Sequence, residues 1–194
     1  MPLLIAPALP AGSLRRIEQP RVAVDGGLVL RPWSVDDAAT VVRAFAEPDI
    51  QRWHTRRMDS ADEAREWIAG WALRWADETD ASWAIARSTT GEAIGQAGLR
   101  TVTLFAGEAQ VSYWVLPSAR GAGVAARAIR AVNGWAYGVL GLRRLFLLHS
   151  TANTPSCRVA TAAGFRLEGT LREYLPHADG WHDTHLHARL RTDG

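Results

Sequence analysis

The segment from Tyr113 to Ala125 has the residue types and spacing best suited to chemistry. An apolar strand leads into a tight turn containing Arg120, Gly121 and Gly123, and a helix begins directly afterwards. The free backbone N–H groups and the dipole of a helix start attract phosphate groups. Glycine lets the backbone approach a ligand closely, and arginine adds charge-assisted hydrogen bonds. The segment therefore predicts a site for a diphosphate.

The same glycines also satisfy a dinucleotide-binding pattern, Gly121-x-Gly123-x-x-Ala126. That pattern needs parallel strands around it and, about twenty positions downstream, an acidic residue that holds a ribose. Here the first downstream acid is Glu168, and hairpin turns link the preceding strands. The context argues against a dinucleotide site, and a glycine turn without any ligand is the other alternative.

Charge is distributed unevenly around this turn. No Asp or Glu occurs between Ala109 and Leu167, whereas seven of the 22 arginines lie there; the other 15 accompany all 20 acidic residues. The stretch favours an anionic ligand, although arginines on exposed helix faces would give the same count. The formal net charge is only +2, so bulk charge does not predict nucleic-acid binding.

Local patterns place this turn within a mixed α/β chain. Ser34 and Ser60 precede acidic residues, as helix-capping residues do, and predict helices to about Ala46 and Ala76. Short apolar segments separated by turns predict antiparallel strands. The predicted strands are Leu28 to Arg31, Ser82 to Arg87, Ala93 to Val102, Gln110 to Leu116, Leu145 to His149, Phe165 to Glu168 and His182 to Leu190, with further helices from Gly123 to Leu140 and Thr154 to Ala163.

The remaining composition limits the class of protein. Residues 1–26 are rich in Pro, Gly and Arg and predict an N-terminal extension, followed by one domain over 27–194. The lone Cys157 excludes an internal disulfide and favours a reducing, cytoplasmic location. No apolar run is long enough to span a bilayer, so we expect no membrane role.

Together these residues resemble the GNAT superfamily of N-acetyltransferases. Its signature is Arg or Gln, two residues, Gly, one residue, then Gly or Ala, and here it is Arg120-x-x-Gly123-x-Ala125. The accompanying residues resemble the branch of the ribosomal-protein N-acetyltransferases, and they are Tyr113-Trp114, Pro117, Asn153-x-x-Ser156 and Ala163-Gly164-Phe165. The resemblance implies a central, mostly antiparallel sheet of about six to seven strands, splayed in the middle, with about four flanking helices.

The resemblance also implies an acyl-CoA cosubstrate and a binding site for it. The pantetheine arm would pair with the strand edge at Trp114, Val115 and Leu116, and the diphosphate would lie on Arg120, Gly121, Ala122, Gly123, Val124 and Ala125. By the same resemblance, Asn153 would hold a pantetheine amide and Ser156 would face the thioester sulfur. The residues alone favour a different role, in which Asn153, Thr154 and Ser156 cap the helix that begins beside Pro155.

The implied reaction is direct attack of a neutral amine on the thioester in a ternary complex. A backbone N–H near Val115 would stabilise the oxyanion, and Ser156 would protonate the departing thiolate. Many relatives carry a glutamate as general base where this chain has Gln110. Glu108 and Glu173 are the alternatives, although either could be an ordinary surface acid.

Two further patterns have competing interpretations. Trp67, Trp71 and Trp75 recur at every fourth position, so they predict one helix face that forms core, an acceptor pocket or a homodimer interface. Asp183, His185 and His187 alternate along one strand. Three ligands on one strand do not easily surround an ion, so we predict a polar strand face and no metal cofactor.

The leading hypothesis is thus an acyl-CoA-dependent N-acyltransferase, with acetyl-CoA as donor and a protein N-terminus or small amine as acceptor. Gln110 motivates a second hypothesis, a noncatalytic acyl-CoA-binding module. A third retains the enzyme but uses a larger donor such as succinyl-CoA.

Overall fold

One sheet of eight strands organises the chain in the computed structural model, which describes residues 3–193. The mixed α/β class is confirmed, with eight strands where about six to seven were predicted. The strands are β1 (Val22–Val24), β2 (Leu28–Arg31), β3 (Ala81–Arg87), β4 (Ala93–Thr103), β5 (Glu108–Val115), β6 (Arg144–Ser150), β7 (Arg166–His177) and β8 (Gly180–Leu190). The helices are α1 (Ala38–Ala46), α2 (Pro48–Gln51), α3 (Ala61–Ala76), α4 (Val124–Trp135) and α5 (Thr154–Ala162).

The strand order is β1-β2-β3-β4-β5-β6-β8-β7, and every neighbouring pair is antiparallel except β5 and β6. The predicted hairpins between β3 and β4 and between β4 and β5 are confirmed. A parallel pair needs a long crossover, and α4 supplies it between β5 and β6.

The sheet splays open between β5 and β6. The two strands pair only where Glu108 to Gln110 lie opposite Arg144 to Phe146. Beyond Gln110 the strands diverge, so the rest of β5 is paired with β4 along one edge only. The carboxyl ends of β5 and β6 thus frame an opening in the middle of the sheet.

Four of the five helices form where capping and apolar periodicity predicted them, whereas the short α2 was not predicted and α4 ends at Trp135 rather than Leu140, with a π-helical turn over Ala136–Leu140. Ser60 accepts a hydrogen bond from the N–H of Glu63 and starts α3, and Ser34 makes a capping box with Asp37 before a 3₁₀ turn that leads into α1. Trp71 and Trp75 on α3 are buried. The tryptophan face is therefore mainly core. Within residues 3–193, no helix is both long and apolar enough to cross a membrane.

The structure differs from the prediction over the later part of the N-terminal segment. Val22–Val24 form an edge strand of the sheet, and Leu14 is fully buried in the main core. The backbone N–H groups of Gly12 and Leu14 each donate to the Glu78 carboxylate over 2.7 Å. The segment lacks the periodicity that would reveal these contacts in the sequence. Residues 1 and 2 of the predicted extension and residue 194 of the predicted domain lie outside the described range.

Candidate active site

The glycine turn forms a cradle at the start of α4. Gly121 and Gly123 have φ values of 82° and 70°, the left-handed region that favours glycine. Gly123 is the N-cap and makes no side-chain capping bond to the helix start. A Cβ atom added at Gly121 would meet nothing within 4 Å, and one at Gly123 would meet only an Arg127 nitrogen at 3.6 Å. The turn is thus open beside both glycines, and a helix start next to open space suits a diphosphate.

Two arginines flank this cradle, and both guanidinium groups already have acceptors. Arg120 donates to Asp49 over 2.7 Å and to the Val115 carbonyl over 3.1 Å. Arg127 donates to the Ala122 carbonyl over 2.6 Å. The Arg120–Asp49 pair is partly exposed, so a ligand anion competes with Asp49 in water rather than in the core.

Not all the other arginines of the acid-free stretch gather around the turn. Arg144, for example, lies at the opposite end of the sheet and pairs with Glu108 and Glu168. The run of positive charge in the sequence is therefore not one anion-binding surface in the fold.

The free edge of β5 presents backbone groups to the opening. Leu116 donates its N–H to Ile94 on β4. Since successive residues of a strand point their N–H and C=O groups to opposite edges, those of Val115 point toward the opening. The Trp114 and Leu116 side chains are buried beside Trp33 and anchor this edge.

The start of α5 places two predicted residues at the same opening. Asn153 caps the helix through a 3.1 Å bond from the Ser156 N–H to its Oδ1, so the capping interpretation is correct. The cap uses Oδ1, and the amide NH₂ is the group suited to a pantetheine carbonyl. Tyr113 on β5 donates its hydroxyl to the buried Ser156 Oγ over 2.9 Å.

This Tyr113–Ser156 bond crosses between β5 and α5. Burial raises the pKa of Tyr113 above its ordinary value, and the bond to Ser156 only partly opposes this. The tyrosine therefore stays protonated and acts as the donor. Because Ser156 Oγ accepts from Tyr113, its own proton is available for another acceptor. In the sequence, Tyr113 stands out only as part of the Tyr113-Trp114 motif.

The two candidate bases lie in different places. Glu108 begins β5, about 23 Å along the strand from Val115, and faces Arg144. Glu173 lies in a β7 bulge near the open end of β6, with a φ of 45° that is rare for a non-glycine residue. Its N–H donates to Asp183 over 2.9 Å.

A hydrogen-bonded chain that sequence reasoning missed lies at the same end of the sheet. Ser150 Oγ is 2.8 Å from His182 Nδ1, and the other ring nitrogen of His182 is 2.9 Å from Asp179. Trp53 packs against His182 and against His177, whose pKa burial lowers. The pairing of β6 with β8 brings Ser150 and His182 together, so no spacing along the sequence predicts this contact.

The alternating histidines of β8 are also not simply a polar face. His187 is buried, and its Nε2 lies 3.8 Å from Cys157 Sγ on α5. The His149 and His187 rings stack with centroids 5.1 Å apart, and His185 is edge-on to His149. Asp183 is exposed, and its carboxylate accepts the Glu173 N–H instead.

Comparison with known proteins agrees with this geometry. The model of the family described as "Acetyltransferase (GNAT) domain" matches residues 27–166, which is more than half of the chain. The chain therefore belongs to the GNAT acetyltransferase family and is an N-acetyltransferase. The resemblance drawn from the motifs is confirmed.

Individual proteins resemble this chain in sequence or in fold. The chain is 27% identical over 165 residues to "Uncharacterized N-acetyltransferase YoaA" of Bacillus subtilis (strain 168), covering 84% of this chain and 93% of that protein. Mycobacterium smegmatis RimJ in complex with CoA-disulfide superposes with a TM-score of 0.80 at 28% identity, covering 88% of this chain and 86% of RimJ. The ribosomal-protein-S5-alanine acetyltransferase of Vibrio fischeri also gives 0.80, at 19% identity, with coverages of 89% and 97%, and so shares the fold.

Proposed function

We propose that this chain transfers the acetyl group of acetyl-CoA to the α-amino group of a peptide or small molecule. One observation carries the proposal: the opening between β5 and β6 lies between the glycine cradle of α4 and the first turn of α5. A diphosphate on the cradle, an extended arm along β5 and a thioester near Ser156 fit that layout. RimJ, a relative, was solved with CoA-disulfide.

The residues of the opening have separate parts in the transfer. The Val115 N–H faces the opening and would stabilise the oxyanion that forms on the thioester carbonyl. Ser156 would give its proton to the leaving thiolate, and Tyr113, held in its protonated form, would fix the direction of that hydroxyl. The amine attacks directly, so Cys157 carries no acyl group.

An α-amine is the acceptor best matched to the available bases. Gln110 cannot accept a proton, and Glu173, the predicted carboxylate at the open end of the sheet, lies exposed in the β7 bulge. At pH 7, deprotonating an α-amine of pKa about 8 costs about 1.4 kcal/mol, whereas a lysine amine of pKa about 10.4 costs about 4.6 kcal/mol. A weak base acting through water meets the first cost more readily than the second.

Glu173 is the base we propose, and Glu108 provides the matched comparison. Glu173→Gln should lower kcat/KM about tenfold at pH 7. Removing a base that contacts the amine directly costs about 10²-fold or more, and the loss is smaller here because a water molecule relays the proton. Raising the pH above the amine pKa should restore most of the loss. Glu108→Gln, which removes only an ion pair with Arg144, should keep the wild-type rate. Equal losses in both variants would contradict the assignment.

The acceptor class is tested with two peptides of equal length and a thiol reagent that detects released CoA. One has a free N-terminus and no lysine, and the other has a blocked N-terminus and one lysine. Only with the first peptide do we expect amine-dependent release of CoA and a mass increase of about 42 Da, which is one acetyl group. Preferred lysine acetylation would overturn the α-amine proposal. Binding of acetyl-CoA without release for any amine would favour the noncatalytic module, and faster release from succinyl-CoA would favour the larger donor.

A further inference from the structure

Three histidines and the single cysteine of the chain converge between α5 and the sheet. His149 on β6 is paired with His185 on β8, and partners in a strand pair share one face of the sheet. His187 lies two residues further along β8 and faces the same way. Helix α5 packs on that face and brings Cys157 to the group. One ligand atom from each of the four residues lies within 4.8 Å of the other three.

The arrangement is close to that of a tetrahedral metal site. Zinc bonds of about 2.0 to 2.1 Å to nitrogen and 2.3 Å to sulfur separate neighbouring ligand atoms by about 3.3 to 3.6 Å. The observed separation of Cys157 Sγ and His187 Nε2 is 3.8 Å. The remaining separations are at most 4.8 Å and would have to shorten by up to about 1.2 Å around a bound ion.

Lone pairs and N–H groups in this cluster lack protein partners. Nε2 of His149 and Nδ1 of His185 are buried and, among residues 3–193, have no hydrogen-bond partner, whereas the nitrogen of His187 that faces Cys157 is Nε2. Buried polar nitrogens without partners are rare, because each has lost its hydration without compensation. Two such atoms in one group of metal-binding side chains point to a common ligand.

The histidines are also prepared as ligands. Nδ1 of His149 is 2.7 Å from the Ser150 carbonyl, so it carries the hydrogen and leaves the Nε2 lone pair free. This outer hydrogen bond is the usual support of a metal-bound imidazole. Imidazole and thiolate without carboxylate select zinc over magnesium or calcium.

We propose that His149, Cys157, His185 and His187 form a structural zinc site that fastens α5 to β6 and β8. Cys157 gives up its thiol proton when the ion binds, and all four positions are filled by protein, so the ion takes no part in acyl transfer. Its effect falls on Ser156, the residue before Cys157, because the bound ion fixes the first turn of α5. The proposal depends only on these four side chains and holds whatever the acceptor is.

The first test measures metal binding directly on the untagged chain after removal of metals with a chelator. Titration with Co²⁺ should reach one ion per chain, with the visible absorption of tetrahedral Co²⁺ and a thiolate charge-transfer band, and one equivalent of Zn²⁺ should displace it. Cys157→Ser should abolish the charge-transfer band, and His185→Asn should weaken binding at least tenfold. His177→Asn, a half-buried histidine outside the cluster, is the control and should bind like the wild type.

The second test needs no variant and so is independent of whether the variants fold. Because Cys157 is the only cysteine, the rate of its alkylation by iodoacetamide reports its state in the folded wild type. One equivalent of Zn²⁺ should slow alkylation at least tenfold and raise the thermal midpoint. The proposal is overturned if the folded wild type shows no tetrahedral Co²⁺ spectrum, or if Zn²⁺ leaves alkylation unchanged.

Discussion

Replacing Gly123 by glutamate tests the diphosphate cradle while sparing the fold. Gly123 has a φ of 70°, where an L-residue is strained by roughly 1–2 kcal/mol. Its added Cβ would meet only Arg127 at 3.6 Å, an ordinary contact. A domain stability of about 5–15 kcal/mol absorbs that strain. The Gly123→Glu protein should therefore remain folded, with a lower thermal midpoint.

The effect on binding should be much larger than the effect on stability. A carboxylate about 5 Å from one phosphate charge, at an effective dielectric constant near 20, opposes binding by about 3 kcal/mol. That energy corresponds to a roughly hundredfold weaker Kd for acetyl-CoA. Calorimetric titration of the variant with acetyl-CoA measures the change, and circular dichroism measures its folding.

Two control variants separate the causes. Gly123→Gln has the same shape and backbone strain without the charge, so it should lose much less affinity. Gly141→Glu adds the same charge at another left-handed glycine, with a φ of 86°, beyond the far end of α4. The 12 residues of α4, about 18 Å of helix, separate it from Gly123, so this variant should bind acetyl-CoA normally. Undiminished affinity of Gly123→Glu, or an equal loss in Gly123→Gln, would refute the electrostatic reasoning.

Three further outcomes are expected. Tyr113→Phe should lower kcat three- to tenfold, about 1 kcal/mol for one neutral hydrogen bond, with little change in KM for acetyl-CoA; an unchanged kcat would remove Tyr113 from the mechanism. Burial alone would raise the pKa of the Glu78 carboxyl, but the backbone N–H groups that donate to it lower that pKa overall. The ionised carboxylate therefore stabilises the fold fully above its ordinary pKa, and this stabilisation is lost as the pH falls through the lowered pKa. Glu78→Gln should thus cost about 1–3 kcal/mol at pH 7 in denaturant titrations and little in strong acid, and a pH-independent difference would contradict this. Burial, Arg100 and His177 lower the pKa of His54 to about 4. The fold should therefore lose up to about 3 kcal/mol between pH 6.5 and 4, and His54→Gln should remove that slope in thermal melts.

Much of the fold was legible because its signals are local. Ser60 and Asn153 start α3 and α5 through bonds to N–H groups three residues ahead, so neighbouring residues alone specify these helix starts. The turn at Gly121 and Gly123 is likewise a property of a few adjacent residues. Strand β1 (Val22–Val24) was not predicted, because three residues carry too little periodicity to indicate a strand.

The composition of this chain and its short motifs determined the family resemblance, the order of helices and strands and the position of the glycine cradle. The tertiary structure alone decided which distant residues meet. Tyr113 reaches Ser156 across the splayed strands, and His149 meets His185 through the register of β6 and β8. Capping and turn formation depend on bonds within a few residues, whereas these contacts depend on how whole strands pair and which helix covers them.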